Sequence, residues 1–187
     1  MTTFNAVRHA HVSAGGRVAA FGLGGLGHLA VQFASKMNYE VVAIARGRER
    51  ESVARELGAH GYIDTSASDP GAALHKMGGA DLIISTVPTT APVAKLIKGL
   101  RVHGRLTLIG VDGGSVDLLS FVMNGQIVTG QLAGSALDTE EAMRFAIGNG
   151  VRPMLERMPL EQANEALDRI SAGAPRFRIV LDTTPNG

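Results

Sequence analysis

The chain has 187 residues, 45% hydrophobic and 19% charged, which is enough apolar material for the core of one generous domain. Its 18 basic and 17 acidic residues exclude the dense basic field of a general nucleic-acid or membrane-surface binder. The absence of cysteine excludes disulfides and thiolate zinc sites, and the six histidines are scattered, so we expect no metal site. No apolar run approaches membrane-spanning length and the start lacks a signal-peptide pattern, so we expect a cytoplasmic protein.

Strand-like and helix-like patterns alternate along the first 150 residues. In chain order they predict an entering helix at 1–11, strands at 17–21, 40–45, 61–64, 81–87, 105–109 and 127–130, and helices at 25–37, 49–57, 70–77, 92–100 and 139–147. This alternation predicts an α/β fold: a doubly wound, mostly parallel sheet of about six strands with helices on both faces.

The pattern changes after residue 150, where the remaining chain is short and separate. It predicts an extended piece from residue 153, a helix at 161–171 and a final strand at 178–182. We therefore divide the chain into a domain at 1–150 and a C-terminal return segment at 151–187.

Four glycines fall within the stretch FGLGGLG, between a predicted strand and a predicted helix. In that context, the spacing Gly22-x-Gly24-x-x-Gly27 is the dinucleotide fingerprint of the Rossmann fold. Gly22 permits a tight turn, Gly24 leaves room for a pyrophosphate, and Gly27 lets the helix pack closely on the strand. The helix N-terminus then offers unpaired N–H groups to the phosphates. The alternative is a glycine-rich turn that serves packing alone.

The residues after the second predicted strand bear on the choice of dinucleotide. The fingerprint expects an acid there, about 20 residues on, to bind the ribose 2′-hydroxyl. Ala45 stands at that place, followed by Arg46 and Arg48. No carboxylate repels a 2′-phosphate and two guanidinium groups can bind one, which favours NADP over NAD. Alternatively, the two arginines belong to a solvated loop or helix cap.

Three stretches, RVAAFGLGGLGHLAVQFASKM, VVAIARGRERESVARELGAHGYID and GRLTLIGV, resemble the coenzyme domain of medium-chain, zinc-type alcohol dehydrogenases. The likeness covers nearly the whole chain. TTFNAVRHA is similar to the helix that links the family's catalytic and coenzyme domains, and PMLERMPLEQANEALDRISAGAPRFRIVLD is similar to its return segment. The family's N-terminal domain, which holds the catalytic zinc, has no counterpart here. The chain therefore resembles the coenzyme half of a larger enzyme.

The resemblance implies a nicotinamide coenzyme, NADP or NAD, and a set of residues that bind it. These are Thr2, Gly22, Leu23, Gly24, Gly25, Leu26, Gly27, Ala45, Arg46, Arg48, Thr86, Val87, Gly110, Val111, Leu132, Ala133 and Arg178. The implied positions are the pyrophosphate for residues 22–27, the adenosine ribose for 46 and 48 with Ala45 just before them, the adenosine side for 86 and 87, and the nicotinamide for 2, 110, 111, 132 and 133. Arg178 is implied at the pyrophosphate, or is equally well a surface charge on an edge strand.

The implied function is hydride transfer between an alcohol or aldehyde and NAD(P), carried out by a complete, zinc-bearing enzyme. This chain offers neither a zinc site nor an acid–base relay, so we predict no catalytic residue and negligible alcohol oxidation by the chain alone. The alternative is a non-catalytic NAD(P)-binding module, either a redox sensor or an assembly domain. A methyltransferase is a weaker alternative, because its fold also usually has an acidic residue after the second strand, where this chain has Ala45.

The apolar stretch Val116–Gly130 bears on assembly. In the family that this chain resembles, the last strands of two coenzyme domains join edge to edge. Such an apolar stretch lies either in a core or in an interface, and an unpaired final strand invites pairing. We therefore expect a homodimer through this segment.

Overall fold

The computed structural model describes residues 1–110, 112, 115 and 119–183. The chain divides into two compact units, Met1–Val151 and Arg152–Gly187. The strands of the first unit are β1 (Arg17–Phe21), β2 (Glu40–Ala45), β3 (Gly61–Asp64), β4 (Ala80–Ser85), β5 (Leu100–Leu108) and β6 (Ile127–Gly130). Its helices are α1 (Thr2–Arg8), α2 (Gly27–Lys36), α3 (Glu51–Glu56), α4 (Pro70–Lys76), α5 (Thr90–Leu96), α6 (Leu119–Asn124) and α7 (Ala136–Asn149).

In the described part of the first unit, the six strands form one parallel sheet in the order β3-β2-β1-β4-β5-β6. The predicted doubly wound α/β fold is confirmed. The chain leaves β3 at one edge and returns to β4, beside β1. This reversal of strand order opens a crevice at the carboxyl ends of β1 and β4, where Phe21 and Ser85 are paired in register.

The central strands are apolar along almost their whole length because helices cover both faces of the sheet. Val42 and Ile44 of β2 and Ile83 of β4 are fully buried in one hydrophobic cluster. Leu74 of α4 and Leu96 of α5 complete this cluster and are also fully buried. Each such side chain contributes about 1.5–3 kcal/mol by leaving water, so the sheet forms a rigid platform for the loops at its carboxyl edge.

Local signals explain where two of the helices begin. The carboxylate of Asp69 accepts a hydrogen bond from the Ala72 N–H at 2.8 Å, and Pro70 occupies the first turn of α4. α7 begins with a capping box, in which Ser135 and Asp138 satisfy each other's backbone N–H groups. These caps stabilise helix ends that would otherwise leave backbone donors unpaired.

The observed bounds differ from the predicted ones where the sequence is polar. β5 begins at Leu100 rather than 105, since the β4–β5 register shifts between Ala80 and Leu82 and His103 takes a φ of +61°. The predicted helix at 92–100 accordingly ends earlier, at Leu96, and a short 3-10 turn follows it. The sequence patterns also missed α6.

The second unit contains β7 (Leu155–Pro159), α8 (Ala163–Ser171) and β8 (Arg178–Asp182). β7 and β8 pair in parallel, which requires a crossover, and the segment containing α8 supplies it. The Arg176 N–H donates to Glu156 at 2.7 Å, and this bond, together with the ion pair to Arg169, lowers the pKa of Glu156 below its usual value. Across both units, no helix in the described residues is long and apolar enough to cross a bilayer.

Candidate dinucleotide-binding site

A cavity of about 710 Å³ lies at the carboxyl ends of β1, β2 and β4. Its lining consists of Phe21, Gly22, Leu23, Gly24, Ala45, Arg46, Arg50, Thr65, Pro70, Thr86, Val87, Pro88, Thr89 and Lys95. It coincides with the crevice created by the reversal of strand order, which is where open α/β sheets bind their ligands.

The glycine bend after β1 is fastened on two sides. Gly22 has a φ of +91°, and its N–H donates to the Ile44 carbonyl at 2.9 Å. The Thr86 hydroxyl lies 3.1 Å from the carbonyl oxygens of both Phe21 and Gly22. A Cβ at Gly22 would lie 2.7 Å from that hydroxyl oxygen, so the turn needs glycine both for its φ and for its close contact.

Gly24 and Gly27 have opposite surroundings. A Cβ on Gly27 would lie 1.6 Å from the Gly22 carbonyl oxygen, whereas a Cβ on Gly24 would meet no atom within 4 Å. In the described part of the chain, the N–H groups of Gly24 and Leu26 donate to no protein acceptor. The bend therefore combines open space with unpaired donors at the start of α2, an arrangement that suits an anion.

His28, on the helix that follows, stabilises this bend. It is fully buried in the first turn of α2, and its Nδ1–H donates to the Gly24 carbonyl at 2.9 Å. This bond ties the Gly24 carbonyl to the helix. Sequence reasoning missed His28, although a polar residue directly after the third glycine, one helical turn from Gly24, was a usable signal.

The walls of the cavity are basic. Arg46, Arg50 and Lys95 line it, and no carboxylate belongs to its described lining. The Arg50 guanidinium also donates to the Leu23 carbonyl at 2.9 Å, which joins the turn after β2 to the glycine bend. The structure thus places Arg50 at the cavity, whereas the predicted Arg48 is exposed and outside the lining. No local signal in the sequence distinguishes Arg50 from Arg48, because both belong to the same 3-10 turn.

Two side chains of β3 hold the turn that carries these arginines. The Tyr62 hydroxyl donates to the Gly47 carbonyl at 2.6 Å, and Asp64 accepts the Gly47 N–H at 2.8 Å. Burial raises the pKa of Tyr62 to about 12, and the negative charge of Asp64 adds to the rise. Hydrogen bonds from the Ser66 hydroxyl and from the N–H groups of Ser66 and Gly47 lower the pKa of Asp64. Tyr62 is therefore a neutral donor and Asp64 an ionised acceptor at neutral pH.

The residues implied at the nicotinamide lie outside the described lining of this cavity. Thr2 is the first residue of α1. Gly110 follows β5 and lies close to Val87: a Cβ at Gly110 would be 3.0 Å from the Val87 carbonyl oxygen. Leu132 and Ala133 are exposed between β6 and α7. Their coenzyme roles remain predictions.

Five further predicted residues do not belong to the described lining of the cavity. Gly25, Leu26 and Gly27 belong to the bend and the start of α2 without lining the cavity. Val111 lies outside the described residues. Arg178 lies on β8, in the second unit, and its two alternative roles both remain predictions.

The residues that the structure describes do not fit a metal ion. Among the described residues, no three histidine, aspartate or glutamate side chains gather in a group that could hold one. The chain also has no cysteine anywhere in its sequence. A zinc site of the kind that needs thiolates cannot be built from this chain.

Comparisons with known proteins agree with this architecture. The chain is 46% identical over 182 residues to alcohol dehydrogenase patD of Penicillium expansum, covering 97% of this chain and 54% of that protein. It is 32% identical to NADP-dependent alcohol dehydrogenase C 1 of Mycolicibacterium smegmatis, covering 98% of this chain and 52% of that protein. The chain thus spans about half the length of the curated relatives it matches.

Solved structures show the same similarity. The alcohol dehydrogenase of Aeropyrum pernix superposes with a TM-score of 0.89 at 28% identity, over 96% of this chain and 54% of that one. The CAD of Helicobacter pylori, complexed with NADP(H), superposes with a TM-score of 0.85 at 27% identity, over 100% of this chain and 53% of that one. The sequence pattern of zinc-binding dehydrogenases matches residues 25–148, more than half of the chain. The chain belongs to the zinc-binding dehydrogenase family.

Proposed function

We propose that the cavity at the carboxyl edge of the sheet binds a nicotinamide dinucleotide. The observation that carries the proposal is the open space above Gly24, next to the unpaired N–H groups of Gly24 and Leu26. These groups would hold the pyrophosphate, while Arg46 and Arg50 would lie beside the adenosine ribose. The residues present fit the coenzyme, since the bend leaves the space and the donors that a diphosphate needs.

NADP is the coenzyme that the basic walls favour. Ala45 stands where the fingerprint expects an acid that binds the ribose. Arg46 and Lys95 line the cavity, and its described lining contains no acidic residue. A 2′-phosphate carries a charge of about −2 and forms strong, charge-assisted bonds with guanidinium groups. The NADP-dependent name of one relative and the NADP(H) complex of one structural neighbour are consistent with this choice.

The activity we propose is hydride transfer between an alcohol or aldehyde and NAD(P), as part of an alcohol dehydrogenase-type enzyme. The coenzyme, when bound, supplies the group that accepts or donates the hydride. The residues of this chain bind and orient it: the glycine bend fixes the diphosphate, and the arginines fix the adenosine end. The described residues of this chain do not fit zinc, since no group of their histidine, aspartate or glutamate side chains could hold a metal ion.

Calorimetric titration of the chain with NADPH and NADH tests the proposal. Arg46→Ala removes a guanidinium from the cavity wall, so it should weaken the binding of NADPH by about 1–3 kcal/mol and leave the binding of NADH nearly unchanged. Arg48→Ala is the matched control, because this arginine lies in the same turn but outside the lining. Failure of the wild-type chain to bind either coenzyme would refute the site, and equal weakening of both would refute the choice of NADP.

A homodimer through the region of β6 is the second part of the proposal. β6 is an edge strand, and the neighbouring helix α6 exposes 64% of Leu119, 78% of Val122 and 74% of Met123. Exposed apolar side chains beside an open strand edge favour pairing with a second copy. Residues 116–118 of the predicted interface lie outside the described residues.

Light scattering at micromolar concentration tests this assembly. The wild-type chain should have the mass of a dimer, and Val122→Asp should convert it to a monomer by placing a charge in the interface. Met143→Asp is the control, since Met143 is an exposed apolar residue on α7. A monomeric wild-type chain would refute the dimer.

A further inference from the structure

The turn between β2 and α3 carries both arginines of the cavity wall, and its residue Gly47 is hydrogen-bonded at both its N–H and its carbonyl. The N–H of Gly47 donates to Asp64 Oδ1 at 2.8 Å, and its carbonyl accepts the Tyr62 hydroxyl at 2.6 Å. Both partners belong to β3, where they are two residues apart and so point to the same face. We refer to these two bonds as the Gly47 clamp.

The turn needs such a restraint because glycine is its most permissive residue. Gly47 has a φ of +91°, and a Cβ there would lie 2.1 Å from a carboxylate oxygen of Glu49. A glycine in that region of conformational space has many alternatives open to it. Neighbouring contacts support the clamp: the Thr65 N–H donates to the Ala45 carbonyl at 3.0 Å, which joins the ends of β2 and β3.

The clamp also engages the carboxylate that stands opposite Ala45. Asp64 pairs in register with Ala45, the position where the dinucleotide fingerprint expects a ribose-binding acid. Its Oδ1, however, accepts the Gly47 N–H and also the N–H and hydroxyl of Ser66, at 2.8 and 2.6 Å. Asp64 does not belong to the described lining of the cavity. The acid is thus engaged by the backbone, and the cavity wall stays basic.

We propose that Tyr62 and Asp64 are positioning residues for coenzyme selectivity. By holding the N–H and the carbonyl of Gly47, they keep the Arg46 guanidinium at the cavity and keep Arg50 bonded to the Leu23 carbonyl. Selectivity for a 2′-phosphate then depends on β3, which supplies no side chain to the described lining. This inference rests on the proposed coenzyme site, and it adds two residues that lie behind that site.

The test removes one bond of the clamp and compares two ligands. Tyr62→Phe deletes the hydroxyl and keeps the ring, and Tyr39→Phe is the matched control, since Tyr39 donates to the Val12 carbonyl at 3.3 Å. The probes are adenosine 2′,5′-bisphosphate and 5′-AMP, which differ by the 2′-phosphate alone, together with NADPH and NADH. Tyr62→Phe should weaken the binding of NADPH and of adenosine 2′,5′-bisphosphate roughly 5- to 20-fold, and the binding of NADH and 5′-AMP by less than about twofold. Tyr39→Phe should change neither.

Asp64 provides a second variant and a rescue. Asp64→Ala removes the acceptor of the Gly47 N–H, so it should weaken the binding of NADPH more than the binding of NADH. Asp64→Asn keeps an oxygen for that N–H and should recover most of the preference for NADPH. A folding defect alone would lower the affinity for both coenzymes together, so the ratio of the two affinities separates the outcomes. An unchanged ratio in Tyr62→Phe and Asp64→Ala overturns the inference. If the wild-type chain binds none of these ligands, the coenzyme site itself is overturned.

Discussion

The second and third glycines of the bend should respond in opposite ways to the same substitution. In Gly27→Ala, the new methyl would lie 1.6 Å from the Gly22 carbonyl oxygen, which is backbone and is held near the Thr86 hydroxyl at 3.1 Å. Overpacking typically costs about 1–3 kcal/mol, and this site should reach at least the upper end because the clashing atom cannot swing away. In a chain of this size, that corresponds to a melting temperature roughly 6–12 °C lower.

Gly24→Ala should leave stability intact and damage binding. Its methyl meets no atom within 4 Å, and the position does not need a left-handed φ, so the variant should be as stable as the wild type or about 0.4–1 kcal/mol more stable. The methyl would instead occupy the space assigned to the pyrophosphate. Loss of one charge-assisted amide contact is worth about 1.5–3 kcal/mol, so the NADPH dissociation constant should rise roughly 10- to 150-fold.

Two measurements on the same samples check this pair. Urea unfolding gives the stability of each variant, and calorimetry with NADPH gives the affinity. The reasoning fails if Gly24→Ala binds NADPH as tightly as the wild-type chain, because the open space would then serve no diphosphate. It also fails if Gly27→Ala is as stable as the wild type, because the close approach of α2 to β1 would then be unimportant.

Three further substitutions test other parts of the molecule. Leu74→Ala, in the core beside the sheet, should lower the unfolding free energy in urea by about 2–5 kcal/mol, and a smaller loss would mean that the cavity collapses. Ser135→Ala removes the capping box of α7 and should cost about 1 kcal/mol by the same measurement, while an unchanged midpoint would show that the cap adds nothing. The pKa of Tyr62 rises from 10.0 to about 12 on folding, so the unfolded chain loses this proton first. Stability linked to Tyr62 should therefore be complete below pH 10 and lost by about pH 12, and Tyr62→Phe should remove that slope from alkaline urea titrations.

Local sequence determined the fold class and the position of the bend. The runs RVAAF, EVVAIA and DLIIS are apolar on both faces, which is typical of strands in a buried parallel sheet, and helical patterns with short connections lie between them. The glycine spacing was equally readable, because it follows one strand pattern and opens one helix pattern, and Gly27 contacts Gly22 in the same bend. Such signals need no knowledge of which distant strand lies alongside.

The tertiary structure alone decided which side chains surround the bend. Arg50 rather than Arg48 lines the cavity because the turn after β2 winds as a 3-10 helix, whose N-cap residue Gly47 is bonded to two side chains of β3. The Gly47 clamp likewise exists because the strand order places β3 next to β2, so that Asp64 stands opposite Ala45. These contacts join residues far apart in sequence, and their geometry follows from strand order and register, which no local pattern of amino acids contains.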